Sequence, residues 1–156
     1  MPQGMTPQSR EEISDLRLFP RLPEAMNRAI SATKIFLKMQ KKNNLFVITK
    51  TKDLAKYIIT VTEKSPKKFR FTLVVRLQNY ILDAMEEEYL ANASTEREER
   101  LKHQKNAKTR LSMLDYFSGI AYEQECILPK QYEQISKQVA EALLYLNKWI
   151  QATGSA

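Results

Sequence analysis

Apolar side chains recur along this chain at the three- and four-residue spacing of amphipathic helices. From Pro23 onward, Met26, Ile30, Thr33 and Leu37 share one face, with Ala29 and Phe36 beside them. Pro23 suits a first helical turn, where its missing N–H has no partner to lose. This helix is expected to stop at the polar run Gln40-Lys41-Lys42-Asn43-Asn44, which makes residues 23–45 an accessory amphipathic helix. A second helix is predicted from Phe46 to Glu63, with Val47, Leu54, Tyr57, Ile58 and Val61 inward. Ser65-Pro66 closes it, because the residue before proline is pushed out of the helical region.

The helix from Pro66 to Ala93 is the most informative. Phe69, Leu73, Val74, Leu77, Tyr80, Ile81, Ala84 and Met85 form its main face. Phe71, Val75, Leu82 and Tyr89 form a second apolar line, which predicts either a subunit contact or a wider internal core. Arg70 and Glu88 fall inside the main stripe, where an unpaired charge would be costly. They are therefore expected at bundle ends or paired. Ser94 or Thr95 is the expected N-cap of a fourth helix running to Gln124, with Glu96, Glu98 and Glu99 suited to the positive end of its dipole. Its first half has only Leu101 as a large apolar side chain, so it reads as a solvated or partner-binding face carrying Arg97, Arg100, Lys102, His103 and Lys105. Pro129 opens a fifth helix, with Tyr132, Ile135, Val139, Ala142, Leu143, Leu146, Trp149 and Ile150 inward. Gly154-Ser155-Ala156 reads as a frayed end.

Short links between the last four helices predict an all-α fold: an antiparallel up-down four-helix bundle over 46–151, with the extra N-terminal helix at 23–45 and a flexible arm at 1–22. Three glycines and six prolines in 156 residues agree with few, long helices. With 43% apolar residues the chain can bury a core. The lone Cys126 rules out an intrachain disulfide and suits a reducing compartment. The opening MPQGMTPQSREE lacks the basic-then-apolar layout of an export signal, and no apolar run approaches the ~20 residues of a membrane span. A soluble cytoplasmic protein without membrane attachment is expected.

Catalytic or metal chemistry finds little to stand on. His103 is the only histidine, so no Cys/His cluster can form a metal site. Cys126 lies more than twenty residues from it. Glu86-Glu87-Glu88 point in successive directions around a helix, and the Glu-x-x-His motif of diiron bundles is absent. The expectation is no enzyme, no catalytic residue, no metal and no cofactor.

Charge is more informative. Residues 1–76 hold 16 Lys/Arg against 6 Asp/Glu, whereas residues 77–156 hold 9 against 12. Such asymmetry predicts an anionic partner. Lys64, Lys67, Lys68 and Arg70 cluster at the Pro66 helix start, where basic side chains oppose the dipole but join free backbone N–H groups. Phosphate contacts of that kind give affinity without base specificity. Phe69 and Phe71, the aromatics within the cluster, are assigned to core and interface.

The stretch Glu63-Lys64-Ser65-Pro66-Lys67-Lys68-Phe69-Arg70-Phe71-Thr72-Leu73 resembles the start of the second helix in a bacterial four-helix-bundle family. Asn92-Ala93, Arg97 with Arg100, and Lys148-Trp149-Ile150 extend the likeness over residues 46–151. That family contains the accessory variability determinant (Avd) proteins of diversity-generating retroelements and the proteins encoded by intervening sequences of bacterial ribosomal RNA. The resemblance implies a bundle that assembles into a basic homopentameric barrel, partners a reverse transcriptase and binds RNA or DNA without being an enzyme. Lys67, Lys68 and Arg70 would belong to its basic surface, and Arg97 and Arg100 to a second basic strip. Residues 1–45 depart from the family core, and their helix could cover a bundle face, alter the oligomer or hold the partner.

The expected nucleic-acid contacts are thus Lys64, Lys67, Lys68, Arg70, Arg97, Arg100 and Lys105, and the expected oligomer interface is Phe71, Val75, Leu82 and Tyr89. The alternative is a structural oligomeric adaptor that docks a protein through that apolar line.

Overall fold

The Ser65-Pro66 step divides the first helix from the second, as proline chemistry demands. The computed structural model describes residues 23–155, with backbone alone at 36–37 and 39–45. The arm expected at 1–22 lies outside them. The elements are α1 (Glu24–Glu63), a 3-10 turn (Lys67–Phe69), a π-helical turn (Arg70–Val74), α2 (Val75–Ala93), α3 (Arg97–Glu123) and α4 (Pro129–Ser155). No strand occurs among the described residues, and the fold is all-α.

The run 40–44 does not end a helix, contrary to expectation; helical backbone extends from Glu24 to Glu63. The run contains neither glycine nor proline, and Lys, Gln and Asn each lose less than ~0.7 kcal/mol relative to alanine in a helix. Two compact units divide the chain, Met1–Leu37 and Lys38–Ala156. In the first, Pro23 O accepts the amide of Asn27, and Glu24 pairs with Arg28 one turn on. Met26 and Ile30 are exposed there.

In the second unit, cross-helix contacts give the topology. Thr51 bonds Glu88 while Thr62 bonds Gln78, so α1 and α2 run antiparallel. His103 meets Glu87 while Phe117 packs on Tyr80, so α2 and α3 do too. Gln104 meets Thr153 and Asp115 meets Ser136, which reverses α4 against α3. Phe46 stacks near Tyr145 and Lys50 pairs with Glu141, closing α4 onto α1 in antiparallel sense. The four helical segments form an up-down bundle. Its core is Leu54, Ile58, Leu77, Ile81, Leu111, Leu114, Ile135 and Leu146, all fully buried. On α2 the buried Leu77, Ile81, Ala84, Glu88 and Ala91 follow at alternating spacings of four and three, with Tyr80 buried beside Ile81, the repeat of helices packed at a shallow angle.

Helix ends correct several local expectations. Neither Ser94 nor Thr95 is the N-cap, a place that Glu96 takes; the Ser94 hydroxyl turns back to Leu90 O at 2.7 Å and closes α2. Glu96 precedes α3 without a side-chain cap, while Glu98 and Glu99 occupy the first turn. The end of α3 is a Schellman motif, with Cys126 N on Ala121 O and Glu125 N on Tyr122 O. Glu125 takes the left-handed position there, at φ 60°. At the start of α4, Gln131 reaches back to the Leu128 amide at 2.8 Å, one half of a capping box. The expected fraying at Gly154 and Ser155 does not occur, because α4 continues to Ser155 over the buried Thr153.

Candidate nucleic-acid interface

Pro66 sits in extended backbone at ψ 139°, which swings the chain out of α1. It supplies no side-chain acceptor to the turn that follows. The 3-10 turn then tightens the backbone through the Phe69 amide on Pro66 O, and the π turn widens it again. Across the π turn Phe69 and Leu73 are half-buried against the core and Val74 is buried. Turns of this type recur at functional sites.

Lys64, Lys67, Lys68 and Arg70 are all exposed around this corner. Among the described residues none of them makes a salt bridge. Lys68 Nζ lies 4.9 Å from the centre of the Phe69 ring. Lys67 and Arg70 line a groove of about 430 Å³ together with Thr62, Phe71, Val75 and Gln78, with Glu63 the acidic group on its wall. The Gln78 amide donates to Thr62 Oγ1 at 3.0 Å and fixes the floor.

The second set of basic residues is elsewhere. Arg70 and Arg97 stand at opposite ends of α2, roughly 35 Å apart along its axis. Arg97 donates to Gly154 O, and Arg100 Nη2 donates to Ser94 O at 2.7 Å. Both arginines thus satisfy backbone carbonyls at helix ends, groups that have no partner within their own helix. Arg97 also lies among Glu96, Glu98 and Glu99. Lys105 is exposed two turns along α3. Of the two sets expected to bind nucleic acid, the one at the Pro66 corner keeps all its basic side chains exposed and free of salt bridges, while Arg97 and Arg100 are engaged by backbone carbonyls.

The apolar line is not internal core within this chain. Phe71 is 85% exposed, Leu82 47% and Tyr89 71%, with Val75 half-buried between them. Phe71 belongs to the groove beside Lys67 and Arg70, whereas Leu82 and Tyr89 lie farther along α2.

Polar residues inside the bundle went partly unread in the sequence. Glu88 is 1% exposed and not at a bundle end; Thr51 Oγ1 donates to its Oε1 at 2.7 Å. Burial pushes its carboxyl up to about 8, against a smaller opposing effect of the Thr51 bond. It is therefore largely protonated at neutral pH. Its place in the three-and-four repeat of α2 was the signal for burial. His103 is half-buried, with Nδ1 2.6 Å from Glu87 Oε2, although its stretch reads as solvated. The small Ala107 and the buried Gln104 form an inward face there that a count of large apolar residues overlooks. Burial also raises the Cys126 thiol above its ordinary range.

The chain matches no family model and no curated protein. Among solved structures it is similar to the crystal structure of a protein of unknown function from the S23 ribosomal protein family of Bacteroides thetaiotaomicron VPI-5482. The two chains are 16% identical, with a TM-score of 0.65 over 70% of this chain and 98% of that one. At that identity the likeness is one of helical fold. Among the described residues, no helix is long and apolar enough to cross a membrane.

Proposed function

We propose that this chain is a non-enzymatic cytoplasmic accessory protein that binds RNA or DNA through the phosphate backbone at the Pro66 corner. The observation that carries this reading is the cluster of Lys64, Lys67, Lys68 and Arg70, exposed and without salt bridges beside a groove. If these four side chains neutralise four phosphates, the counterions displaced from the duplex give a log–log salt slope of about −3.6. Affinity then falls by about two orders of magnitude over a fourfold rise in salt. The resemblance of residues 63–73 to the Avd proteins supports a reverse transcriptase as protein partner, in a system like a diversity-generating retroelement. Binding of RNA and of duplex DNA at two salt concentrations tests the reading. No detectable binding at low salt overturns it.

A second reading draws on the exposure of Phe71, Leu82 and Tyr89 along one helix. It makes the chain a homo-oligomer, a pentamer if it follows the Avd proteins, or an adaptor for another protein. Light scattering on the wild type and on Val75→Glu with Leu82→Glu separates these cases. A monomeric wild type counts against the ring.

A further inference from the structure

Phe71 is the one aromatic ring in the groove at the Pro66 corner, and it leaves most of its surface in water. Among the described residues no other ring and no cation packs on it. Lys68 instead covers the neighbouring Phe69. Lys67 and Arg70 share with Phe71 an open groove of about 430 Å³.

We propose that this groove takes single-stranded nucleic acid, with one base stacked on Phe71 and the flanking phosphates held by Lys67 and Arg70. The inference rests on the nucleic-acid reading above and narrows it to one class of strand. A free aromatic face flanked by cations is the arrangement that holds unpaired strands without reading their sequence. In a duplex each base face is covered by its neighbours, so Phe71 has nothing to stack on while the cations still reach phosphate. The carboxylate of Glu63 on the groove wall is outnumbered by Lys64, Lys67 and Arg70. A protein partner seated on Phe71 would have to bring carboxylates of its own to match those cations, whereas a strand carries a phosphate at every nucleotide; the next exposed apolar residue of the line, Leu82, is roughly 16 Å farther along the helix. Charge complementarity therefore favours the strand.

The test is fluorescence anisotropy with labelled oligo(U) and oligo(dT) of about twelve nucleotides, a length covering one such site, and with duplexes of equal length. Phe71→Ala removes an exposed ring and leaves the core intact. It is expected to weaken both single strands by roughly tenfold and to leave duplex affinity unchanged. Phe71→Trp is expected to retain single-strand affinity. Its added emission should be quenched when oligo(dT) binds, while the buried Trp149 of the wild type serves as the blank. A preference between oligo(U) and oligo(dT) identifies which strand the groove favours. Salt-sensitive binding that Phe71→Ala leaves unchanged overturns the stacking assignment alone. So does a loss accompanied by a change of mass in light scattering, which would make Phe71 a subunit contact. Absence of any binding overturns this assignment together with the reading it rests on.

Discussion

Thr51 on α1 donates a 2.7 Å hydrogen bond to Glu88 on α2, and both side chains are closed off from water. The bond satisfies Oε1 and leaves Oε2 without a partner among the described residues. A carboxyl in that position is held neutral by its surroundings, which couples the fold to pH.

The sign follows from proton counting. Between the ordinary glutamate value of 4.5 and the folded value of about 8, the folded state binds more protons than the unfolded state. Stability from this group is therefore fully present below pH 4.5, falls as pH rises to about 8, and is flat above it. Glu88→Gln keeps an acceptor for Thr51 and removes the titration. It is expected to stabilise the protein at pH 8 by on the order of a few kcal/mol and to flatten the curve between pH 5 and 8. Urea denaturation across that range checks it, and an equal change at every pH would refute it.

Gln104 is fully buried, donates to Thr153 Oγ1 at 2.9 Å, and leaves its Oε1 without a partner. Thr153 also donates to Trp149 O, so its hydroxyl stays satisfied without Gln104. Gln104→Leu is expected to change stability by less than about 1 kcal/mol or to raise it, because it removes an orphaned acceptor without creating another. Gln104→Ala leaves a void instead and is expected to cost about 2 kcal/mol or more. Thermal or chemical denaturation of the pair decides, and a larger loss from leucine than from alanine would contradict the assignment.

Glu125 occupies the left-handed position of the Schellman motif, where a side chain with Cβ is strained. Glu125→Gly relieves that strain and is expected to stabilise by about 0.5–1 kcal/mol despite the freer unfolded chain. Its midpoint of thermal unfolding should rise, and a fall would mean that Glu125 makes a compensating contact.

Two residues of the same helix separate core from surface. Leu77→Ala is expected to cost about 2–5 kcal/mol, whereas Phe71→Ala should stay within about 0.5 kcal/mol. Comparable losses in chemical denaturation would place Phe71 in a subunit interface that adds to stability.

The basic clusters divide in the same way. Replacing Lys67, Lys68 and Arg70 by alanine is expected to make the duplex salt slope shallower by about 2.7, with little change in stability. Arg97→Ala, by contrast, removes the bond to Gly154 O and is expected to cost about 0.5–1.5 kcal/mol of stability with a smaller effect on affinity. Salt titrations beside denaturation curves separate the roles; a slope lowered as much by Arg97 alone would reverse them.

Helix number in the bundle, the Pro66 break and most inward positions were legible in the sequence because each depends on local spacing or on proline's covalent geometry. Lys64, Lys67, Lys68 and Arg70 were legible as a cluster for the same reason, being neighbours along the chain. The end expected at 40–44 was not, since a polar run weakens a helix without breaking it. Ser94 was misassigned because one hydroxyl can cap the helix before it as readily as the one after it, and the choice depends on where the chain turns.

Periodicity and charge order by themselves determined an all-α up-down bundle with its positive excess in the first 76 residues, part of it clustered at the Pro66 helix start. Only the tertiary structure decided that Arg97 and Arg100 serve carbonyls at the far end, that Glu88 is buried and neutral, and that Phe71 stands free beside Lys67 and Arg70. The physical reason is that helical spacing places side chains on faces, whereas desolvation, partner choice and exposure depend on which other helix comes to lie against each face.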